Sequence, residues 1–426
     1  MKKFFIFDPK LLFFGFAIIF FASYGQTFFI SIFNPEIRLY YNLTDGEFGL
    51  VYALGTLSSS LILVGFAKLI DHIDLRLYSF LISIGLTLSC LGMYLNFPNI
   101  FFLFMIIFGL RFFGQGAMSH AGETTMARYF GVNRGKAISV ATFGGQIGVM
   151  FLPLISVTLM KYMDWKHVWL IASFTILMIF IPLLFLALQN QTGRHFKFKE
   201  SNKKIIETRK WKTRDVFFDK KFYIYLPISI AAPFISTGLM FHQVYILNEK
   251  GWTLDLFAGG YIFLGIFSVI GLFFGGPIID KFNTKKIITY TLTPLLLAIV
   301  TLVLFNSYLS MFIYLSLLGL NMGISAPFIG SLWAELYGLE SLGTVKALLH
   351  ACAVFASALS PVIFGYIIDF GLGLITISLI SLLLIIFATI LSIFYRNFVH
   401  ILKCIFQIFK YLLEENFFSN FRTLRY

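Results

Sequence analysis

Arg111 is the residue whose chemistry most needs an explanation. It stands in the run Ile100 to Ala121, which is mostly Phe, Ile, Leu and Gly, and a guanidinium at the centre of a bilayer costs about 2.5–3.5 kcal/mol on insertion scales. With an α-helical step of about 100° per residue, Gln115 and Ser119 fall about 40° and 80° around from it, so the three predict one polar stripe, with His120 on the opposite side. A guanidinium presents a planar fork of donors that matches a carboxylate. The same fork can instead hold backbone carbonyls or Tyr and Gln side chains of neighbouring helices, and then it meets no solute. His242 and His350 also sit in apolar runs and carry rings whose proton can come and go near neutral pH; the alternative for each is a hydrogen-bonded helix contact. No Asp or Glu lies within any apolar run, which argues against a cationic solute.

These groups must be positioned by helices in lipid. Apolar residues make up 58% of the 426 and charged ones 12%, with 54 phenylalanines, a composition outside the soluble range. A hydrocarbon core about 30 Å thick needs roughly 20 apolar residues per helix. Twelve runs of that order occur: Leu11 to Phe33, Phe48 to Ala67, Leu77 to Leu95, Ile100 to Ala121, Ala137 to Met160, Val168 to Leu188, Phe222 to Leu247, Leu256 to Ile279, Ile287 to Phe305, Leu309 to Leu332, Ala347 to Ile368 and Gly371 to Tyr395. Within them Arg111 is the only charged side chain. The first run is read as a retained helix that ends at a loop at Asn34-Pro35, because no small-x-small cleavage site precedes that loop.

With the amino terminus inside, external loops hold only Arg38, Lys161, Lys166 and Lys250, and nearly all the other Lys and Arg lie on the internal side. That bias predicts both termini in the cytoplasm. It also accounts for the net charge of +13 without nucleic acid as a partner. The predicted organisation is an N-terminal six-helix bundle at 1–188, a basic linker at 189–221, a C-terminal six-helix bundle at 222–395 and a tail at 396–426. In the tail His400, Lys403, Gln407, Lys410 and Glu414 recur at spacings of three and four, as on an amphipathic helix lying along the inner surface.

The halves repeat at an offset near 210: Gly109-Leu110-Arg111 matches Gly319-Leu320-Asn321, the loop Asp71 to Arg76 matches Asp280 to Lys285, and Pro153 matches Pro361. At these residues the chain resembles the major facilitator superfamily, whose transporters are built from two six-helix halves. The family's loop signature, Gly-x-x-x-Asp-Arg/Lys-x-Gly-Arg-Arg/Lys, is met at Gly276, Asp280, Lys281, Lys285 and Lys286, with Asn283 at the later glycine position. The first copy keeps Asp71 and Arg76 but has Ala67 and Asp74 where the family has glycine. Arg111, Gln115 and Gly116 supply a fourth-helix signature, whereas the fifth-helix motif of drug/proton antiporters is incomplete, with no proline until Pro153. Phe241-His242-Gln243, Trp333 to Gly338 and Leu342 to Ala347 resemble the branch of monocarboxylate and oxalate/formate carriers.

The resemblance implies an all-α membrane protein of 12 transmembrane helices, arranged as two pseudo-symmetric bundles around a central cavity lined by spans one, four, seven and ten. Substrate-binding candidates are then Tyr24, Gln26, Thr27, Arg111, Gln115, Ser236, Thr237, His242, Gln243, Asn321 and Ser325, with His242 and His350 as candidates for proton coupling. Asp71, Arg76, Asp280 and Lys281, at inner helix ends, are expected to bridge neighbouring helices when the inner side is shut and to release as the halves rock. The function implied is a secondary active transporter in the inner membrane, monomeric, moving a small-molecule substrate such as a carboxylate, with a proton or counter-anion as coupling partner. A carrier or exporter of a neutral or zwitterionic metabolite is the alternative. No His-rich cluster, Cys pair or phosphate-binding glycine loop points to an enzyme, a cofactor or a metal.

Overall fold

The computed structural model describes residues 8–194, 213–282, 284–338 and 342–394. Most of the linker, the tail with its polar stripe, and Asn283 therefore lie outside the described residues. What is described is nearly all helix, without a strand among the described residues. The helices are α1, formed by Pro9–Gly25 and Thr27–Tyr41; α2, Asp45–Asp71; α3, Leu75–Leu95; α4, Ile100–Tyr129; α5, Arg134–Met160; α6, Trp165–Ala187; α7, Lys220–Phe241; α8, Leu254–Ile279; α9, Ile288–Leu304; α10, Tyr308–Tyr337; α11, Val345–Asp369; and α12, Gly373–Phe394. The protein is thus a twelve-helix all-α membrane protein, with α9 the one helix shorter than a standard span.

The first helix differs from its expected form. Its two segments meet at 45° around Gln26, whose backbone is extended. It then continues as helix through Asn34–Tyr41, so Asn34-Pro35 is no loop. Proline is tolerated there because it occupies the first turn, where an amide hydrogen has no intrahelical acceptor to lose.

Polar caps start the helices at the membrane faces. Asp8 accepts from Leu11 N, Thr44 and Glu47 form a reciprocal capping box on α2, and Asn99, Asp164, Asp219 and Ser307 cap α4, α6, α7 and α10. Each satisfies amides that lipid could not. Outward side chains such as Leu61, Phe273 and Leu383 are exposed, as lipid contact requires.

α1 begins on the face here termed proximal, and successive helices alternate between it and the opposite, distal face. Helix crossings are tight where glycine removes the side chain: Gly144 of α5 lies on the Phe16 backbone of α1, and Gly319 and Gly323 of α10 lie on the Leu264 and Ser268 carbonyls of α8. In lipid such close backbone packing, rather than hydrophobic transfer, holds helices together.

A substitution pair tests this packing. Gly144→Ala places a Cβ against the Phe16 carbonyl and is expected to lower stability in detergent by about 1–3 kcal/mol. Gly259→Ala, on α8 with open space around it, should be neutral or stabilising by up to about 1 kcal/mol. Thermal unfolding of the two variants distinguishes these outcomes.

Candidate functional site

A central cavity of about 480 Å³ lies between α1, α4, α7, α10 and α11. Most of the polar residues expected on its wall are there: Gln26 and Thr27 from α1, Gln115 from α4, Ser236 and Thr237 from α7, and Asn321 and Ser325 from α10; the proton-coupling candidate His350, from α11, lines it as well. Phe28, Met240 and Trp333 supply apolar and aromatic wall, and Trp333 Nε1 donates to Ser229 Oγ at 3.1 Å. Asn321 uses its amide nitrogen on Thr291 O at 2.8 Å, while its Oδ1 and the Oγ of Ser236 are buried and have no hydrogen-bond partner among the described residues. Lys346, one turn from His350 on α11, also lines the cavity and was not singled out by sequence. Its apolar run starts one residue later, yet the helix extends toward the proximal face.

Arg111 is 2% exposed and stands behind this wall rather than on it. Its Nε donates to Thr56 Oγ1 at 3.2 Å, and Nη1 donates to Gly25 O at 3.1 Å and Thr27 Oγ1 at 3.3 Å. The guanidinium carbon lies 5.0 Å from the Tyr52 ring centroid, within cation–π range. The guanidinium therefore joins α1, α2 and α4. Residues Leu110–Met118 are π-helical, with hydrogen bonds to the fifth residue that widen the turn. Gln115 reaches the cavity while the Arg111 side chain is held by α1 and α2, so the two do not share one stripe on the wall. The wide segment also lets α1 approach: Gly114 meets Gly25 backbone to backbone, where a Cβ on Gly114 would be 2.8 Å from Gly25 Cα.

Three other expected wall residues lie off the cavity. Tyr24 bonds Thr175 Oγ1 of α6 at 3.1 Å. Gln243 donates to Phe28 O at 3.3 Å and Ser31 Oγ at 2.9 Å and accepts from Tyr261. The buried His242 ring places Nε2 at 2.8 Å from Pro361 O. His242 and Gln243 belong to a seal that closes the distal end. There Asn34 donates to Phe241 O, Asp369 accepts from the amides of Asp45 and Gly46, and Phe241 packs on Phe48 and Tyr52. Among the described residues, two contacts between titratable groups join the first six helices to the last six, the Lys161–Asp255 ion pair at 2.8 Å and the approach of His242 Nδ1 to Asp45 at 3.4 Å, and both are distal. The cavity runs the other way, to the exposed proximal residues Lys346 and His350: this is a conformation facing the proximal side.

The expected gate residues pair differently from the simplest reading. Asp71 contacts Arg128 of α4, which also donates to Ile70 O at 3.2 Å. Arg76 pairs with Asp74 at 3.0 Å and reaches Thr192. Both contacts lie within the first six helices, and they are made while the proximal side is open. Lys281 lies exposed near the Phe282 ring, and the side chain of Asp280 is outside the described residues.

Twelve helices around a polar cavity, sealed on one face and reaching the other, define a membrane transporter of the alternating type. The chain belongs to the Major Facilitator Superfamily, whose family model matches residues 15–361; it is a secondary transporter rather than an enzyme. Among solved structures it is similar to a bacterial homolog of the human lysosomal transporter Spinster, described as inward-facing and unoccupied. The identity is 15%, the likeness covers 90% of this chain and 94% of that one, and the TM-score is 0.56; at that identity the likeness concerns the fold. No sequence among the curated proteins matches the chain.

Thr56→Val tests the Arg111 cluster. It removes the acceptor of Nε and should cost about 1–3 kcal/mol of stability by leaving a buried charged donor unsatisfied. Equal unfolding midpoints for variant and parent would show that Thr56 is not needed to hold the guanidinium.

Proposed function

We propose that the protein is a secondary active transporter for a small organic anion, a carboxylate by preference, moved by alternating access. The observation that carries this reading is the charge of the cavity: its lining includes Lys346 but no Asp or Glu, Glu123 of α4 acting on Lys346 from outside that lining. Lys346 attracts the anion near the proximal mouth, and the neutral donors Gln26, Thr27, Gln115, Ser236, Thr237, Asn321 and Ser325 replace part of its hydration farther in. Arg111, directly behind Thr27, adds positive potential, and its Nη2, unlike Nε and Nη1, makes no hydrogen bond among the described residues. At an effective dielectric near 20, a unit charge at about 4 Å gains roughly 4 kcal/mol before desolvation is subtracted. The segments that resemble monocarboxylate carriers, Phe241-His242-Gln243 and Trp333 to Gly338, support the same class.

In this reading the proximal face is cytoplasmic, on the strength of the basic loops, and the membrane is the inner one. The units 1–188 and 222–395 rock about the cavity, joined by the basic linker 189–221, with the tail 396–426 on the inner surface. The protein works as a monomer, with a proton or counter-anion as coupling partner. Asp71, Arg76, Asp280 and Lys281 bias the rocking without touching solute. A second reading has one observation in its favour: the three oxygens bonded to Arg111 satisfy much of its fork internally, as in a carrier for a neutral or zwitterionic metabolite.

Matched pairs, each a carboxylate and its primary amide, separate the two readings. In proteoliposomes the carboxylates should inhibit uptake strongly and the amides weakly, over a pH range that keeps the acid ionised. Equal inhibition would favour the neutral solute. Lys346→Gln should weaken apparent affinity about tenfold, equivalent to about 1.4 kcal/mol. Arg111→Ala should abolish transport with membrane insertion unchanged, and Arg111→Lys should restore it in part, since the charge returns without the fork. Transport by Arg111→Ala at the parental rate would remove Arg111 from the mechanism.

A further inference from the structure

The distal seal contains a titratable pair placed across the boundary that must part for the cavity to face the other way. Pro361 O, on α11, can only accept, so the contact at 2.8 Å fixes a hydrogen on His242 Nε2. In the neutral ring Nδ1 is then a bare acceptor. It faces Asp45 Oδ1 of α2 at 3.4 Å, which is also an acceptor, and no other group among the described residues bonds it. The ring is 1% exposed, so water is not the relief. Two lone pairs face each other across the seam, a repulsion that a single proton converts into a charge-assisted contact.

Charged and titratable groups reach the seam from each neighbouring helix. α1 contributes Arg38, which pairs with Asp45, and α2 contributes Asp45 itself. α11 contributes Asp369, whose two oxygens accept from the amides of Asp45 and Gly46. The helix that continues α7, Gln243–Lys250, carries Tyr245 and Glu249, and α8 presents Tyr261, bonded to Gln243. Asp45, Asp369 and Glu249 against Arg38 leave the seam net negative, and an imidazolium there would offset part of that charge. The seal residues come from both sets of six helices: Arg38 and Asp45 from the first, His242, Pro361 and Asp369 from the second.

We propose that His242 Nδ1, facing Asp45, is a proton-binding site that locks the distal face shut. The site depends on reading the protein as an alternating-access carrier, and it belongs to the seal rather than to the solute cavity. A proton bound there stabilises the conformation that faces proximally. As the distal face opens, α2 leaves α7 and α11, Nδ1 loses its carboxylate, and the proton is given up to the distal solution. Because proton affinity and closure are linked reciprocally, acid on the distal side holds the cavity facing the proximal side.

The test uses the full chain, with its native cysteines replaced and spin labels at the exposed distal residues Leu39 and Phe370, reconstituted in lipid without added solute. Between about pH 5 and 8, where histidine titrates, the short-distance population should give way to a longer one. The closed-to-open ratio should fall by up to about tenfold per pH unit, the limit for one proton. His242→Gln, which keeps an amide able to donate to Pro361 O, should abolish this dependence. Asp45→Asn, which keeps the ring but removes the carboxylate, should abolish it as well. A pH-independent distance distribution in the parent, or a parental profile in His242→Gln, overturns the proposal. Since no solute is present, failure of the carboxylate preference leaves this result standing, and failure here leaves the solute class untouched.

Discussion

The structure depends on a mutual repair between a buried charge and a broken helix. A guanidinium in the bilayer interior needs oxygen acceptors, and a helix interrupted in the same place exposes carbonyls that lipid cannot satisfy. Arg111 and the α1 break at Gly25-Gln26 supply each other: Gly25 O and Thr27 Oγ1 accept from Nη1, and Thr56 from α2 accepts from Nε. Removing either partner leaves the other costly. The break is also what carries Gln26 and Thr27 onto the cavity wall. The charge therefore shapes the cavity even where it stands behind its wall.

Close approach of α1 and α4 makes that repair geometrically possible. Gly25 and Gly114 bring the backbones together, and from the π-helical segment Leu110–Met118 Arg111 reaches α1 and α2 while Gln115 lies on the cavity. One helix thus serves two neighbours with two polar residues four apart.

The two ends of the cavity are built differently. The distal end is closed by a polar network spanning α1, α2, α7 and α11 over a core of Phe48, Tyr52 and Phe241. The proximal end has Lys346 and His350 on the wall and exposed. Hydrogen-bonded contacts suit a seal that must open, because each group released from its partner can bond water instead. A packed apolar seam of equal area would lose its contacts with no such compensation. Glycines 46, 49 and 365 let α2 and α11 meet closely at that seam, so the switch region is narrow and confined to helix ends.

Much of this architecture was legible from residue types alone. Twelve apolar runs gave twelve helices because the membrane acts on each segment independently, demanding enough apolar length and satisfied backbone bonds. The polar residues Gln26, Thr27, Gln115, Ser236, Thr237, Asn321 and Ser325 line the cavity as a group, since a polar side chain in a membrane helix avoids lipid. The bend at Gln26 was not legible, because a glycine in a run of apolar residues fits a straight helix equally well. Lys346 was passed over because hydropathy ends a span where charge begins, whereas a helix continues beyond it. Sequence by itself determined the solvent, the number of helices and which residues are too polar to face lipid; these follow from composition measured against a bilayer. Only the tertiary structure decided which acceptors Arg111 holds, that His242 faces Asp45, and which end of the cavity is shut, because hydrogen bonds and ion pairs form between atoms brought within about 3–4 Å from segments far apart in the chain.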